Sequence, residues 1–235
     1  MAEEHGGRFI PDWIESPPPA GSYRSIFKWG DPSGFKHPNE KLFNELKNVF
    51  GLSDADFRKR ETDGTEQVRY SMKSRLSRTQ VARLARIVGE DNIASDDYSR
   101  LRYSTGKTVE EAMKLRRGVV DRVCDLVAHP RDKRDVAAVV AYCNRERIPV
   151  YVYGGGSSVN FGFRPARGGV TLALSTHMNR LLTLNETNQT ARVQPGMMGP
   201  DYEKALNGAP EMLGASRRYT CGHFPQSFEY SSVGG

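Results

Sequence analysis

Three consecutive glycines followed by two serines, Gly154 to Ser158, are the residues of this 235-residue chain whose types and spacing best suit ligand binding. They follow a β-branched and aromatic run that ends at Tyr153, which predicts a strand leading into a glycine loop. Without Cβ atoms the backbone can approach a ligand closely, and successive N–H groups can form an anion nest. A pyrophosphate is the natural ligand, but a loop of this composition is by itself more often an ordinary turn. It is not a Rossmann fingerprint, because GxGxxG must open a helix and the residues after Ser158 do not favour one.

A second glycine-serine stretch, CGHFPQSFEYSSVGG, occupies residues 221–235. Its serines and its terminal glycine pair again offer hydrogen-bond donors and close backbone approach. His223 invites a catalytic interpretation, but a lone histidine without a carboxylate at fixed spacing is more often structural. We expect each of the two loops to follow a strand. Two such loops about 70 residues apart predict one extended, phosphate-bearing ligand.

Two other motifs are rejected as binding sites. Gly106-Lys107-Thr108 resembles the end of a P-loop, but GxxxxGK[ST] requires glycine at position 101, where Leu101 stands. Residues 77–89 resemble part of a helix-turn-helix, yet the following EDNIASDDYS contains four acids and predicts no recognition helix. We therefore expect no sequence-specific binding to DNA.

The chain is basic, with 34 Lys and Arg against 28 Asp and Glu, a net charge of +6 and a pI of about 9.3. Between Glu66 and Glu90 there is no acidic residue. The basic residues of this stretch are Arg69, Lys73, Arg75, Arg78, Arg83 and Arg86. Such a stretch can bind nucleic acid, phosphate or an anionic membrane, or it can be a solvated helix face, which is the commoner case.

The composition is typical of a globular chain with a hydrated surface: 37% hydrophobic residues, 26% charged residues and a mean hydropathy of -0.60. No apolar run approaches the roughly 20 residues that span a bilayer. The N-terminus has two early acids and no apolar core, which argues against a secretory signal. Cys124, Cys143 and Cys221 are widely spaced, so we expect no disulfide framework, no metal site and a reducing, cytoplasmic compartment.

Hydrophobic periodicity and capping residues predict a mixed α+β chain. Residues 1–35 look extended, with Pro17, Pro18 and Pro19 against helix formation and Trp13, Phe27 and Trp29 as surface anchors. The predicted helices run from after Pro38 to Gly51, from Ser77 to Gly89, from Val109 to Arg117, through the Val136, Val139, Val140 and Cys143 stripe, and near Pro200–Asn207. The predicted strands are one before His129, then Ile148–Tyr153, which we expect to be buried, Val170–Leu174, Leu181–Asn185 and Ala191–Gln194. We divide the chain into an N-terminal extended and helical region, residues 1–117, and an α+β domain, residues 118–235, which ends on a glycine pair as a truncated domain would.

Three segments taken together resemble one family. They are VYGGGSSVNFG (152–162), LALSTHMNRLLTLNETNQTARVQPGMMG (172–199) and GHFPQSFEYSSVGG (222–235). In this order they resemble the FAD-binding PCMH-type domain of the vanillyl-alcohol oxidase superfamily, and within it the alkyldihydroxyacetonephosphate synthases (alkylglycerone-phosphate synthases) and bacterial FAD-linked oxidases. The resemblance covers roughly residues 95–235. It departs from the family where Cys124 replaces the proline before Asp125, and over residues 207–220, which are longer and more basic.

The resemblance implies two α+β subdomains that hold FAD between them, incomplete in this chain, followed by a cap domain over the substrate. The first loop would wrap the pyrophosphate and the second would run along the flavin side of the cofactor. The implied cofactor-binding residues are Val152, Tyr153, Gly154, Gly155, Gly156, Ser157 and Ser158, with Gln226, Ser227, Phe228, Glu229, Tyr230, Ser231 and Ser232. Relatives that tether FAD often have histidine after the glycines, whereas Ser157 stands here, so we expect non-covalent FAD.

The synthases of this family replace the acyl group of acyl-dihydroxyacetone phosphate by a fatty alcohol through an adduct at the flavin N5, in ether-lipid synthesis. Their catalytic residues belong to a C-terminal half that is absent here, so the resemblance implies no catalytic residue and an inactive fragment. One alternative is an FAD-linked dehydrogenase or oxidase of a hydroxy acid or alcohol. Another is a basic nucleic-acid or membrane-surface module at residues 69–86. We expect a small-molecule or lipid substrate, no nucleic acid, and leave open a peripheral membrane contact and a homodimer.

Overall fold

The computed structural model describes residue 9 and residues 18–26, 38–59, 64–162 and 164–234, and within these the chain is mixed α+β, as predicted. The helices are α1 (Tyr23–Ile26), α2 (Glu40–Phe50), α3 (Asp54–Arg58), α4 (Arg78–Val88), α5 (Asp97–Arg102), α6 (Val109–Arg116), α7 (Lys133–Arg145), α8 (Gly199–Asn207) and α9 (Ala209–Leu213). The strands are β1 (Ile93–Ala94), β2 (Leu126–Ala128), β3 (Val150–Tyr153), β4 (Val170–Ala173), β5 (Leu181–Asn185) and β6 (Thr190–Val193). A 3₁₀ turn, Glu90–Asn92, connects α4 to β1.

Local capping determines where the predicted helices begin and end. Ser77 accepts from the N–H of Gln80 while the Gln80 side chain accepts from the N–H of Ser77, and α4 begins at the next residue. Thr108 and Glu111 form the same box at the start of α6. Gly51 ends α2 with a φ of 62°, a conformation that glycine adopts without strain. These helix predictions are confirmed to within one or two residues.

Two sheets organise the C-terminal part. In the first, the strand order is β1-β2-β4-β3; β2, β4 and β3 are parallel and β1 is antiparallel to β2. The second is the β5-β6 hairpin, with a register shift between Leu181 and Thr183. Parallel strands run in one direction. The loops that follow β3 and β4 therefore leave from the carboxyl end of the strands, and the segments that lead into β2 and β4 arrive at the amino end.

The main hydrophobic core lies between the first sheet and helices α4 and α7. Burial of these side chains is the principal force that holds the helices on the sheet. The fully buried members include Leu84, Val88, Leu126, Ala128, Val139, Cys143, Val170 and Leu172. Because Leu84 and Val88 belong to α4 and β1 pairs with β2, the region before residue 117 contributes to this sheet layer. The division at residue 117 stays a prediction.

Some apolar residues expected in the core are exposed. Val140, assigned to the buried stripe of α7, is 44% exposed, because Val139 and Cys143 already fill the face against the sheet. In α2 only Phe43 is buried, and Phe50 is 67% exposed. Periodicity marks which residues share a helix face but does not determine how much of that face is covered.

The predicted buried strand Ile148–Tyr153 is shorter and less buried than expected. β3 begins at Val150, and Val152 is 52% exposed because β3 pairs only with β4, at the edge of the described sheet. The second glycine-serine stretch does not follow a strand; residues 226–230 form turns, and Ser232 makes an isolated bridge to Met198. Both expectations were wrong because strand pairing depends on partners that are distant in sequence.

The N-terminal predictions are tested only in part. Pro17, Trp13, Phe27 and Trp29 lie outside the described residues. Within the described range, α1 replaces the extended chain expected for residues 1–35, and it is held by a backbone hydrogen bond from Arg24 to Gly64. The sequence predicts no recognition helix after residues 77–89. The structure has a helix there, α5, but it has only six residues.

Candidate FAD-binding site

The first loop, residues 154–158, leaves the end of β3 as predicted. Gly156 has a φ of 72°, and a Cβ there would lie 1.9 Å from the phenol oxygen of Tyr153. Among the described residues, the backbone N–H groups of residues 154–158 donate to no protein acceptor. The loop therefore presents a run of backbone donors that an anionic ligand can use.

The second loop, residues 226–232, is a compact turn. Ser227 has a φ of 66°, which is uncommon for a residue with a side chain, and its carbonyl accepts from the N–H groups of Tyr230 at 2.8 Å and Ser231 at 2.9 Å. Residues 226 and 229 are exposed, whereas Ser232 is buried. The turn thus places serines on its inner side and the Gln226 and Glu229 side chains toward solvent.

The two loops, more than 70 residues apart in the sequence, meet in the structure. Ser157 Oγ and Ser231 Oγ lie 3.0 Å apart, within hydrogen-bond distance. A Cβ added to Gly155 would lie 1.8 Å from the Tyr230 carbonyl oxygen. Gly155 is therefore required first for the packing of the two backbones against each other, and not only for the approach of a ligand.

Two segments that the sequence argument left out hold these loops in place. The rejected Gly106-Lys107-Thr108 motif lies against the first loop, where the N–H of Lys107 donates to the Ser158 carbonyl at 2.7 Å. The start of α8 holds the second loop, since the N–H of Gly199 donates to the Ser231 carbonyl at 3.2 Å. The family resemblance included residues 172–199 but assigned none of them to the cofactor site.

Tyr153, the residue before the first loop, has a buried side chain. The Tyr153 ring contacts the Tyr103 ring edge-on, with centroids 4.8 Å apart, and burial raises the pKa of Tyr153 to about 12. Lys107 is also largely removed from water, which lowers the pKa of its ammonium to about 8, and its Nζ donates to the Ile26 carbonyl at 2.6 Å. Tyr153 therefore stays a neutral phenol beneath the glycines at physiological pH.

The residues present fit the pyrophosphate-bearing cofactor that the resemblance implies. The Ser232 hydroxyl is buried and finds no partner among the described residues, and the N–H groups of residues 154–158 also lack acceptors. A buried hydroxyl such as that of Ser232 normally finds a partner in the native state. A phosphate-rich ligand supplies oxygen acceptors in the number that such donors require.

The predicted site residues fall into two groups, those whose backbones meet and those whose side chains are exposed. The backbones of residues 154–158 and 227–232 come together, whereas the Val152, Gln226 and Glu229 side chains are exposed in the described structure. The His223 side chain is also exposed. No helix among the described residues is both long enough and apolar enough to cross a membrane.

The sequence of residues 124–235 matches the protein family described as FAD binding domain. The match covers 112 of the 235 residues, and the cofactor of this part of the chain is FAD. The fold is accordingly that of an FAD-binding domain preceded by a mostly helical region.

The chain is similar to several flavoenzymes. Alkyldihydroxyacetonephosphate synthase of Trypanosoma brucei brucei is 30% identical over 159 residues, which cover 66% of this chain and 25% of the relative. Glycolate oxidase subunit GlcD of Bacillus subtilis (strain 168) is 28% identical over 152 residues, 65% of this chain and 28% of the relative. A solved alkyldihydroxyacetonephosphate synthase superposes with a TM-score of 0.65 at 25% identity, covering 72% of this chain and 30% of that one. The chain spans about a quarter of the length of the first curated relatives that it matches.

Proposed function

We propose that this chain is the FAD-binding part of a flavoenzyme that exchanges the acyl group of acyl-dihydroxyacetone phosphate for a fatty alcohol. The observation that carries the proposal is the meeting of the two glycine-serine loops, with Ser157 Oγ 3.0 Å from Ser231 Oγ. It is supported by three similar proteins named alkyldihydroxyacetonephosphate synthase, at 27 to 30% identity.

In this proposal the residues of the chain bind and orient the cofactor. Residues 152–158 wrap the pyrophosphate and donate backbone N–H groups to its oxygens. Residues 226–232 run along the flavin side, where the buried Ser232 hydroxyl donates to the cofactor. FAD, when bound, supplies an isoalloxazine ring with a reactive N5, and non-covalent binding remains our prediction. We assign no catalytic residue within residues 1–235, and we expect this piece alone to be inactive.

A second function has a specific observation in its favour. The GlcD subunit of Bacillus subtilis matches nearly as large a share of the chain, 65%, as the Trypanosoma brucei brucei synthase does, 66%, and a D-lactate dehydrogenase [cytochrome] of Kluyveromyces lactis is 32% identical over 85 residues. The alternative is therefore an FAD-linked dehydrogenase or oxidase of a hydroxy acid or alcohol. It shares the cofactor site and differs in whether substrate reduces the flavin.

The experiment that separates the two functions is the visible absorption spectrum of the full-length protein, recorded anaerobically with a panel of hydroxy acids and alcohols. The redox-neutral synthase stays yellow with every member of the panel. A dehydrogenase or oxidase loses its yellow colour with its substrate, because the substrate reduces the flavin. A colourless protein that also fails to take up added FAD would contradict both functions.

The remaining features of the proposal concern surroundings and partners. We propose a small-molecule or lipid substrate, a cytoplasmic location with peripheral contact to a membrane, and a homodimer. We propose no role in nucleic-acid binding. Sedimentation of the full-length protein with vesicles and its measured mass in solution test the membrane contact and the dimer.

A further inference from the structure

A cavity of about 240 Å³ lies beside the segments that enter β2 and β4. Its charged lining consists of Lys73, Arg75, Arg100, Arg122, Asp121 and Asp125, and we name it the basic cavity. Four cations against two carboxylates leave a net charge of +2 on the lining. The volume is several times the roughly 30 Å³ that one water molecule occupies.

The two carboxylates of the basic cavity are already engaged. Asp125 is buried, and its two oxygens accept from the N–H groups of Arg75 at 2.9 Å and Gly169 at 2.6 Å. Asp121 accepts from Lys114 Nζ at 2.5 Å. These hydrogen bonds hold both carboxylates in place, and the cations of the lining still exceed the carboxylates by two.

Three of the four cations have no ion-pair partner among the described residues, and Arg100 has only a distant one, since its Nη1 lies 4.0 Å from Asp97 Oδ1. The side chains of Lys73, Arg75 and Arg122 are exposed and form no ion pair with the described residues. Arg100 is only 4% exposed; its Nε donates to the Cys124 carbonyl at 2.9 Å and its Nη1 to the Met72 carbonyl at 3.2 Å. Its Nη2 is buried and has no acceptor in the described part of the chain. An unmet guanidinium N–H is costly in a protein interior, and an anionic oxygen would satisfy it.

The basic cavity is separate from the FAD-binding loops. Residues 121–125 and 165–168 precede β2 and β4, whereas residues 154–158 follow β3. Because these strands are parallel, the basic cavity lies at the amino end of the strands and the first loop lies at their carboxyl end. An anion held in the basic cavity is therefore not the FAD pyrophosphate.

We infer that the basic cavity is a second anion site that binds a phosphate group, either of a soluble phosphate compound or of an anionic lipid headgroup. A phosphate carries up to two negative charges and several acceptor oxygens, which suits one buried and three exposed cations around a small cavity. The site also gives a specific role to Lys73 and Arg75, two residues of the acid-free basic stretch.

The first test uses the full-length protein saturated with FAD, so that the pyrophosphate site is filled. Inorganic phosphate is titrated by calorimetry against sodium chloride of equal ionic strength. We expect saturable binding with a Kd below about 1 mM. Arg122→Glu and Lys73→Glu, both at exposed positions, should weaken this binding at least tenfold without loss of flavin. Arg86→Glu is the matched control, because Arg86 is exposed, unpaired in the described structure and outside the basic cavity.

The second test separates the two sources of phosphate. Vesicles of phosphatidylglycerol and of phosphatidylcholine are sedimented with wild-type protein and with Arg122→Glu. Binding to phosphatidylglycerol alone, lost in Arg122→Glu and displaced by inorganic phosphate, identifies a lipid headgroup; phosphate binding without vesicle binding identifies a soluble compound. Absence of saturable phosphate binding, or an equal loss in Arg86→Glu, would overturn the assignment. Neither result depends on which reaction the flavin performs.

Discussion

The contact between Gly155 and Tyr230 gives the sharpest prediction for the FAD-binding site. In Gly155→Ala the new Cβ would lie 1.8 Å from the Tyr230 carbonyl oxygen and 2.7 Å from its carbonyl carbon, where ordinary contacts begin at 3.4 Å. The two loops must therefore separate by about 1.6 Å, because neither obstructing atom is the end of a flexible side chain. That shift also breaks the Ser157–Ser231 contact.

The size of the effect follows from the cost of overpacking. Extra atoms in a well-packed region cost roughly 1–3 kcal/mol, and a backbone obstacle places this case at the upper end. If the full cost, about 3 kcal/mol, falls on the loop arrangement that binds FAD, the affinity for FAD decreases about a hundredfold, since 1.4 kcal/mol corresponds to a factor of ten. We expect a partly or fully colourless protein after purification.

The assay is the flavin content of the full-length protein, followed by titration of the apoprotein with FAD. Gly162→Ala is the matched control, because its Cβ would meet only the Asn160 side chain at 3.2 Å and the Ser158 side chain at 3.5 Å. Circular dichroism of both variants monitors folding. Wild-type FAD affinity in a folded Gly155→Ala variant would refute the argument, as would an equal loss in Gly162→Ala.

Three further predictions concern single contacts. Ser157→Ala removes one hydrogen bond to Ser231 and should weaken FAD binding by about 1 kcal/mol, measured by FAD titration; a loss of folding would instead mean that Ser157 is structural. Asp125→Asn cannot accept from both Arg75 and Gly169 and should lower the free energy of unfolding by about 1–3 kcal/mol, whereas an unchanged denaturant midpoint would contradict the role of the buried carboxylate. The Cys221 N–H, with the Thr220 and Asn207 side chains, lowers the pKa of Glu203 from 4.5 to about 2. Its stabilising contribution is therefore fully present above about pH 4.5 and is lost as the pH falls through 2, so Glu203→Gln should be less stable than wild type at pH 7 and show a clearly smaller difference at pH 2.5 in thermal unfolding; a pH-independent difference would disprove this.

The parts of the fold that the sequence predicted depend on local interactions. The boxes at Ser77 and Thr108 involve residues three positions apart, so their residue types are enough to place the starts of α4 and α6. The two sheet expectations that were wrong, a buried β3 and a strand before the second loop, both concern partners far along the chain. An exposed Val152 could not be inferred from its own segment, because burial of a strand depends on which strand lies beside it.

The candidate site shows the same division. The glycines, the serines and the ordered motifs of residues 152–235 were enough to predict an FAD-binding domain, because a pyrophosphate requires backbone donors and close approach whatever surrounds them. The support from Lys107 to Ser158 was missed, since the motif that provides it was judged only as a phosphate loop in its own right. Its role depends on a carbonyl 51 residues away, which spacing within the motif cannot show.

By itself, the sequence determined the helix ends, the α+β class and the two loops suited to a phosphate-bearing cofactor. These depend on the chemistry of a few neighbouring residues. Only the tertiary structure decided that the Gly155 and Tyr230 backbones touch and that the Ser232 hydroxyl is buried with no partner among the described residues. It also decided that Arg100 lies with Lys73 and Arg122 around the basic cavity. Each of these requires residues from separate segments to occupy one place, and spacing along the chain does not show which segments meet.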